Sequence, residues 1–217
     1  MPKPRQTQQA PSSSILAIES SWDSATKTLF AYREKHLYTR LKKTGWDLTI
    51  LSGKMARRVF FEAEAAKDGI RLIIGMGHGD YDHFTGHLGE VVLEVGKYDA
   101  AIVRGRIIHL LSCRTAGKLG PDLIASGATA FFGYSGAFTF LFGYESVFFE
   151  CVSEVDRALA EGANAATVHA RTSEAFDRQI DLLASRSGLA AAILTGDWEY
   201  FCSPATNSRF GNEKASL

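Results

Sequence analysis

The sequence is poor in the features that mark several large classes of protein. Its 217 residues include only three cysteines, Cys113, Cys151 and Cys202, with no Cys-x-x-Cys pair, so neither a disulfide-stapled scaffold nor a thiolate zinc site is expected. No basic-then-apolar leader opens the chain, which with the scarce cysteines leads us to expect a reducing, cytoplasmic setting. Long apolar runs are missing too. The richest stretch, residues 128–142, is broken at its centre by Gly133, Tyr134, Ser135 and Gly136, and a membrane helix needs roughly 18 to 20 uninterrupted residues, so no membrane partner is expected. Charge of one sign is not in excess: 24 Lys and Arg face 24 Asp and Glu, and no global field draws in nucleic acid.

What is present is a hydrophobic content of 46%, enough for one well-buried core at this length. Three of the five prolines fall in residues 1–14 among Gln, Ser and Thr, a composition expected to form a disordered arm. Residues 15–202 then read as a single domain, and 203–217 as a polar tail expected to fray.

Within the domain, apolar runs alternate with helical stripes. Strands are expected at 15–19, 47–51, 70–74, 107–111, 128–133 and 190–194. The spacing of Ala25, Leu29, Tyr32, Leu37 and Leu41 predicts a helix closed by Gly45, and Met55, Val59, Ala63 and Ala66 a second, capped by Ser52. A short helix over 118–126 follows, then stripes through Phe148, Val152, Val155 and Leu159, and through Val168, Thr172, Phe176, Ile180 and Leu183. Residues 88–95 and 100–103 look like a hairpin or flap. Strands alternating with helices imply an α/β fold, a three-layer αβα sandwich around a mostly parallel sheet.

Two strand ends carry the chemistry. Residues 107–117 read Ile-Ile-His-Leu-Leu-Ser-Cys-Arg-Thr-Ala-Gly and deliver Cys113 to a loop; residues 70–80 read Ile-Arg-Leu-Ile-Ile-Gly-Met-Gly-His-Gly-Asp and deliver His78. Groups at the carboxyl ends of neighbouring parallel strands converge on one crevice, so a cysteine-histidine site is expected. The thiolate is the nucleophile and an imidazole can protonate a leaving amine. Gly79 allows close backbone approach, so its N–H and that of Cys113 could receive an oxyanion. The plainer alternative makes Cys113 a small buried hydrophobe and His78 a loop residue.

These residues bring a family into view. The chain resembles the caspase-like cysteine peptidases of clan CD, and within them the bacterial CHAT and gingipain-type branch. The match rests on His78-Gly79, Leu-Leu-Ser-Cys113, Leu119-Gly120, Leu123-Ile124, Gly127-Ala128 leading to Phe131-Phe132-Gly133-Tyr134, and Leu194-Thr195-Gly196-Asp197. The resemblance implies a caspase/haemoglobinase-like fold and a thiol protease needing no cofactor or metal. Cys113 would be the nucleophile, His78 the catalytic imidazole, and the Gly79 and Cys113 amides the oxyanion hole. It also implies substrate walls at residues 20–23, at Ser112 and at 134–138, so that Asp23, Ser112, Tyr134 and Ser135 are candidate substrate-binding residues. Asp23 could meet a basic substrate side chain or merely cap a helix. Leu111 stands where metacaspases carry an acidic residue, which argues against that branch. The expected partners are a protein or peptide substrate and an activating protein that orders a flap over 81–106.

Two other classes compete. His78, Asp80, Asp82 and His83, with His87 beyond, could form the metal cluster of a hydrolase. Alternatively, the fold could serve as a catalytically silent interaction module.

Overall fold

The computed structural model describes residues 14–217. The expected arm thus lies outside the described residues, apart from Ser14, which opens the first strand. In chain order the elements are β1 (Ser14–Glu19), α1 (Ser24–Tyr32), a π-helical turn (Arg33–Tyr38), α2 (Thr39–Leu41), β2 (Asp47–Ser52), α3 (Arg58–Ala65) and β3 (Ile70–Met76). A small meander follows, β4 (Gly79–Asp80), β5 (His83–Thr85) and β6 (Val91–Glu94), then β7 (Ile107–Leu111), α4 (Leu119–Ala125) and β8 (Ala130–Tyr134). The chain ends with α5 (Glu145–Ala160), α6 (Ala165–Ala184), α7 (Gly188–Tyr200) and β9 (Phe201–Cys202).

The main sheet has the order β2-β1-β3-β7-β8-β9, parallel except for the last strand. Its inner strands are buried on both faces, which is why they read as continuous apolar runs. One face, with Ile15, Ala17, Ile74, Met76, Leu111 and Phe132, packs with residues of α1, α5, α6 and α7; the other, with Leu16, Ile18, Ile73, Leu110 and Phe131, packs with α3, α4 and the meander. Helices on both faces of a mostly parallel sheet make this a three-layer α/β sandwich. Truncating a ring such as Phe131 or Phe132 to alanine removes about 3 to 5 kcal/mol.

Five sequence expectations change. The apolar run at 190–194 is helical, inside α7, because Ser187 caps that helix through the Ala190 amide; the last strand is β9. Ser52 caps nothing: a 3₁₀ turn at Gly53–Met55 intervenes and α3 starts at Arg58. The 88–95 and 100–103 hairpin does not form. Asp99 accepts from the Ala101 amide and folds Ala100–Ile102 into a 3₁₀ turn, while β6 pairs back onto β5. Phe84, Val92 and Leu93 of this meander are buried in the core, so the expected flap is a seated part of the fold. Finally, 203–217 does not fray. Gly211 bridges to Ala130, and the carbonyls of Ala215 and Glu213 accept from the Ala165 and Ala166 amides at the start of α6.

The helix from Ser24 departs from ideal form for a visible reason. Arg33 and Tyr38 are five residues apart, which an α-helix would turn away from each other by about 140°. The π-helical turn, whose bonds span five residues, brings both onto one face, where both bond the Glu19 carboxylate at the end of β1. Arg33 also bonds Asp156 of α5 at 2.9 Å, and Asp156 bonds His109 Nδ1 of β7 at 2.6 Å. All five groups are essentially without solvent contact. A buried cation between two carboxylates ties β1, the π-helical turn, α5 and β7 together.

Candidate active site

Strands β3 and β7 are parallel neighbours in the register Met76 opposite Leu111, and the Gly77 amide donates to the Leu111 carbonyl at 3.3 Å. His78 and Cys113 each stand two residues beyond that pair. Both line one narrow cleft of about 70 Å³, together with Leu29, Met76, Phe138 and Phe140. The strand-end placement expected from the apolar runs is therefore what brings this histidine and this cysteine to a common cavity.

The immediate partner of His78 is a carboxylate. His78 Nε2 lies 2.7 Å from Asp23 Oδ2, with the imidazole half-exposed and the edge of Trp22 against its ring at 6.0 Å. Asp23 is also the N-cap of α1, accepting from the Thr26 amide at 3.0 Å within a full capping box. Burial alone would raise the Asp23 carboxyl, but the Thr26 amide and His78 outweigh it and hold it below the ordinary carboxylate range. An ionised Asp23 accepts from Nε2–H, which leaves Nδ1 as the nitrogen free to move a proton. Asp23, a candidate for the substrate wall, is here engaged by the histidine; cap and histidine partner are both true of it.

Cys113 is partly buried, and its Sγ donates to the Phe138 carbonyl at 3.8 Å. Burial pushes its thiol up, with the Asp197 carboxylate adding to that effect and Arg114 opposing it. The sulfur is held as a thiol in this state. Arg114, the next residue, takes a positive φ of 58°, a left-handed backbone that costs a side-chain-bearing residue about 1 to 2 kcal/mol. Its amide bonds the Gly136 carbonyl at 2.9 Å, and its guanidinium reaches Asp80 at 3.5 Å over the Tyr81 ring. These contacts hold a sharp turn immediately after the cysteine.

Gly79 links the two loops. A Cβ there would collide with Ser112 Oγ and come within 2.9 Å of the His83 carbonyl and 3.0 Å of Thr115 Cγ2. Only glycine lets the histidine loop seat against the residues flanking Cys113. The Thr85 amide donates to the His78 carbonyl at 2.8 Å, which makes Gly79 and Phe84 a non-hydrogen-bonded pair, so the Gly79 amide is not used by the β4–β5 ladder.

The other sequence candidates fall in different places. Ser112 lines the cleft but is almost fully buried, its Oγ lacking a hydrogen-bond partner. Tyr134, expected on the substrate wall, is a correction: β8 runs through it and strand alternation turns it inward, so its ring is wholly enclosed. Ser135 bonds the Tyr200 carbonyl through both its amide, at 2.8 Å, and its Oγ, at 3.2 Å, joining β8 to α7. The metal alternative finds no donor set. Among the described residues no three His, Cys, Asp or Glu side chains converge, since His78 pairs with Asp23, His83 with Asp82, and Asp80 with Arg114.

Sequence reasoning did not foresee the Asp23–His78 contact, which joins positions 55 apart. Nor did it foresee the state of Asp197. That side chain is 2% exposed, accepts from the Thr139 amide at 3.0 Å and leaves Oδ2 without a partner. Burial, only partly offset by the Thr139 amide, pushes its carboxyl up to about 8. Among the described residues no helix is long and apolar enough to cross a membrane. No protein-family model matches the chain, and none of the curated proteins is a match either.

Proposed function

We propose that the chain is a caspase-like cysteine peptidase that cuts peptide bonds with Cys113 as nucleophile and His78 as the proton-moving imidazole. The observation that carries this reading is the shared cleft: a cysteine and a carboxylate-bound histidine, each two residues past a registered pair, at the ends of adjacent parallel strands. In the proposed reaction, Cys113 Sγ loses its proton to the imidazole and attacks the peptide carbonyl carbon, forming a C–S bond. The oxyanion is received by the Gly79 and Cys113 amides. The C–N bond then breaks as the imidazolium protonates the departing amine. Water attacks the resulting thioester with the imidazole as base, releasing the carboxylate and the thiol. Asp23 acts as a positioning residue that fixes the imidazole tautomer.

The thiol bonded to the Phe138 carbonyl, in a cleft too narrow for a polypeptide, favours a latent resting form that widens when substrate or an activating protein binds. Digestion of a diverse peptide pool tests the whole reading. Wild type should generate cleavage products, Cys113→Ala and His78→Ala none, and Asp23→Asn should lower turnover tenfold or more with little change in KM. Equal product from Cys113→Ala would remove Cys113 as nucleophile; inertness of wild type with and without cell extract would favour the silent module.

A further inference from the structure

The long open edge of the main sheet is β2. Among the described residues its one ladder is with β1, whereas β9, at the far end of the sheet, has only two residues. The direction of its backbone groups follows from β1. Just past that strand the Ser20 amide donates to the Met76 carbonyl of β3 at 2.7 Å, so Ser20 and, by alternation, Leu16 and Ile18 face β3, while Ile15, Ala17 and Glu19 face β2. In a parallel ladder the residues registered with these three, Leu48, Ile50 and Ser52, turn their own N–H and C=O groups away, toward the open edge. Among the described residues these outward groups have no partner.

The strand carries none of the devices that keep an edge from pairing. It has no lysine, no proline and no bulge in its register with β1, and its single charge, Asp47, stands at its first residue. Leu48 and Ile50 are partly exposed and, with Trp46, lie at the margin of the core that holds α1 and α5. Such an edge takes an extended strand, and its own sequence fits it. Two copies paired about a two-fold axis run antiparallel, and a residue whose groups face outward can exchange both bonds with its own copy. Ile50 is the middle one of the three. With Ile50 opposite the partner's Ile50, Leu48 falls opposite the partner's Ser52, and every outward group of the strand is used. That register also sets the Leu48 and Ile50 side chains of both copies together on one face, closing the apolar margin. Asp47 of each copy then lies beside the Gly53-Lys54 end of the other, and both charges are exposed and without an ion pair among the described residues. A foreign strand would have to supply this complementarity; a second copy has it by symmetry.

We propose that two copies of this chain join edge to edge through β2, making one continuous sheet about a two-fold axis at Ile50. The pairing makes no use of the peptidase reading. Because the joined sheets run in opposite directions, the two Cys113 clefts open at opposite ends and do not face each other.

Light scattering of the full chain at about 50 μM should give twice the mass of one chain. Ile50→Lys and Ile50→Glu each set like charges face to face across the axis and should raise the dissociation constant of the dimer at least about tenfold, while an equimolar mixture of the two should recover the dimer. Ile50→Cys keeps a small apolar side chain and serves if either charged variant melts early. It should cross-link to its own copy on air oxidation, because residues facing each other in such a pair stand about 5.5 Å apart at Cα, within disulfide reach; Thr49→Cys, opposite the partner's Leu51, should not. A monomer at about 200 μM, a dimer indifferent to both charges, a mixture of the folded variants that stays monomeric, or an Ile50→Cys protein that yields no covalent dimer would each overturn the proposal.

Discussion

Replacing Asp197 by asparagine should make the protein more stable, by an amount that depends on pH in a defined way. Its carboxyl titrates near 8 in the folded chain, against about 3.9 for an unperturbed aspartate. Between those values the folded chain holds a proton that the unfolded chain has released, so unfolding is favoured as pH rises, by about 1.4 kcal/mol per pH unit. The stability that the protonated carboxyl contributes is complete below about pH 4 and is lost by about pH 8, a total of about 5 to 6 kcal/mol. Asparagine keeps an acceptor for the Thr139 amide but leaves two N–H donors unpaired where the protonated acid leaves one O–H, so near pH 4 the two proteins should melt within about 1 kcal/mol of each other. From pH 5 to pH 8 the advantage of Asp197→Asn should widen by about 4 kcal/mol, or roughly 10 °C in melting temperature for a chain of this size. Urea denaturation of both proteins at half-unit pH intervals measures the gap directly, and other titrations shared by the two proteins largely cancel. A gap that stays constant across this range would refute the reasoning, because it would mean that Asp197 does not take up its proton on folding.

Three further outcomes follow from particular contacts. Cys113 is the most exposed of the three thiols, and burial raises it, so iodoacetamide should modify it before Cys151 and Cys202 yet more slowly than a free cysteine at pH 7.5; mass spectrometry showing its rate already saturated at pH 7 would contradict the raised thiol. Gly79→Ala should cost about 1 to 3 kcal/mol, and Ser112→Ala should recover part of that loss, since it removes one of the colliding atoms but not the His83 carbonyl; additive costs in a double-mutant cycle would count against the seat described for Gly79. Arg33→Met should destabilise by about 3 to 5 kcal/mol by leaving Glu19 and Asp156 without their shared cation, and Arg33→Met combined with Glu19→Leu should be more stable than Arg33→Met alone, as judged by the urea midpoint.

The parallel sheet was legible because its inner strands are buried on both faces and therefore show as apolar runs bounded by glycine. The helix from Ser24 was legible as well, and even its flaw leaves a mark: the expected stripe steps by five between Tyr32 and Leu37, where the π-helical turn lies. Residues 190–194 were misread because a run of five apolar residues fits a strand and a helix equally, and the deciding signal, Ser187 as cap, lies outside the run. Strands of two or three residues, as in the meander and β9, are too short to show a period. His78 and Cys113 stood out by position at the ends of two runs, but the link from Asp23 to His78 and the isolation of Asp197 depend on packing between distant segments and leave no local pattern.

The seat of Gly79 has a mechanical consequence. With no space for even a methyl group between the histidine loop and the Ser112–Thr115 turn, these two loops are packed to move together. On the proposed peptidase reading, the part that yields to a polypeptide is the opposite jamb, the aromatic strip through Phe138 and Phe140, whose withdrawal would at once break the thiol's bond to the Phe138 carbonyl and unlatch the sulfur. Entry and arming would then be a single movement of the same hinge.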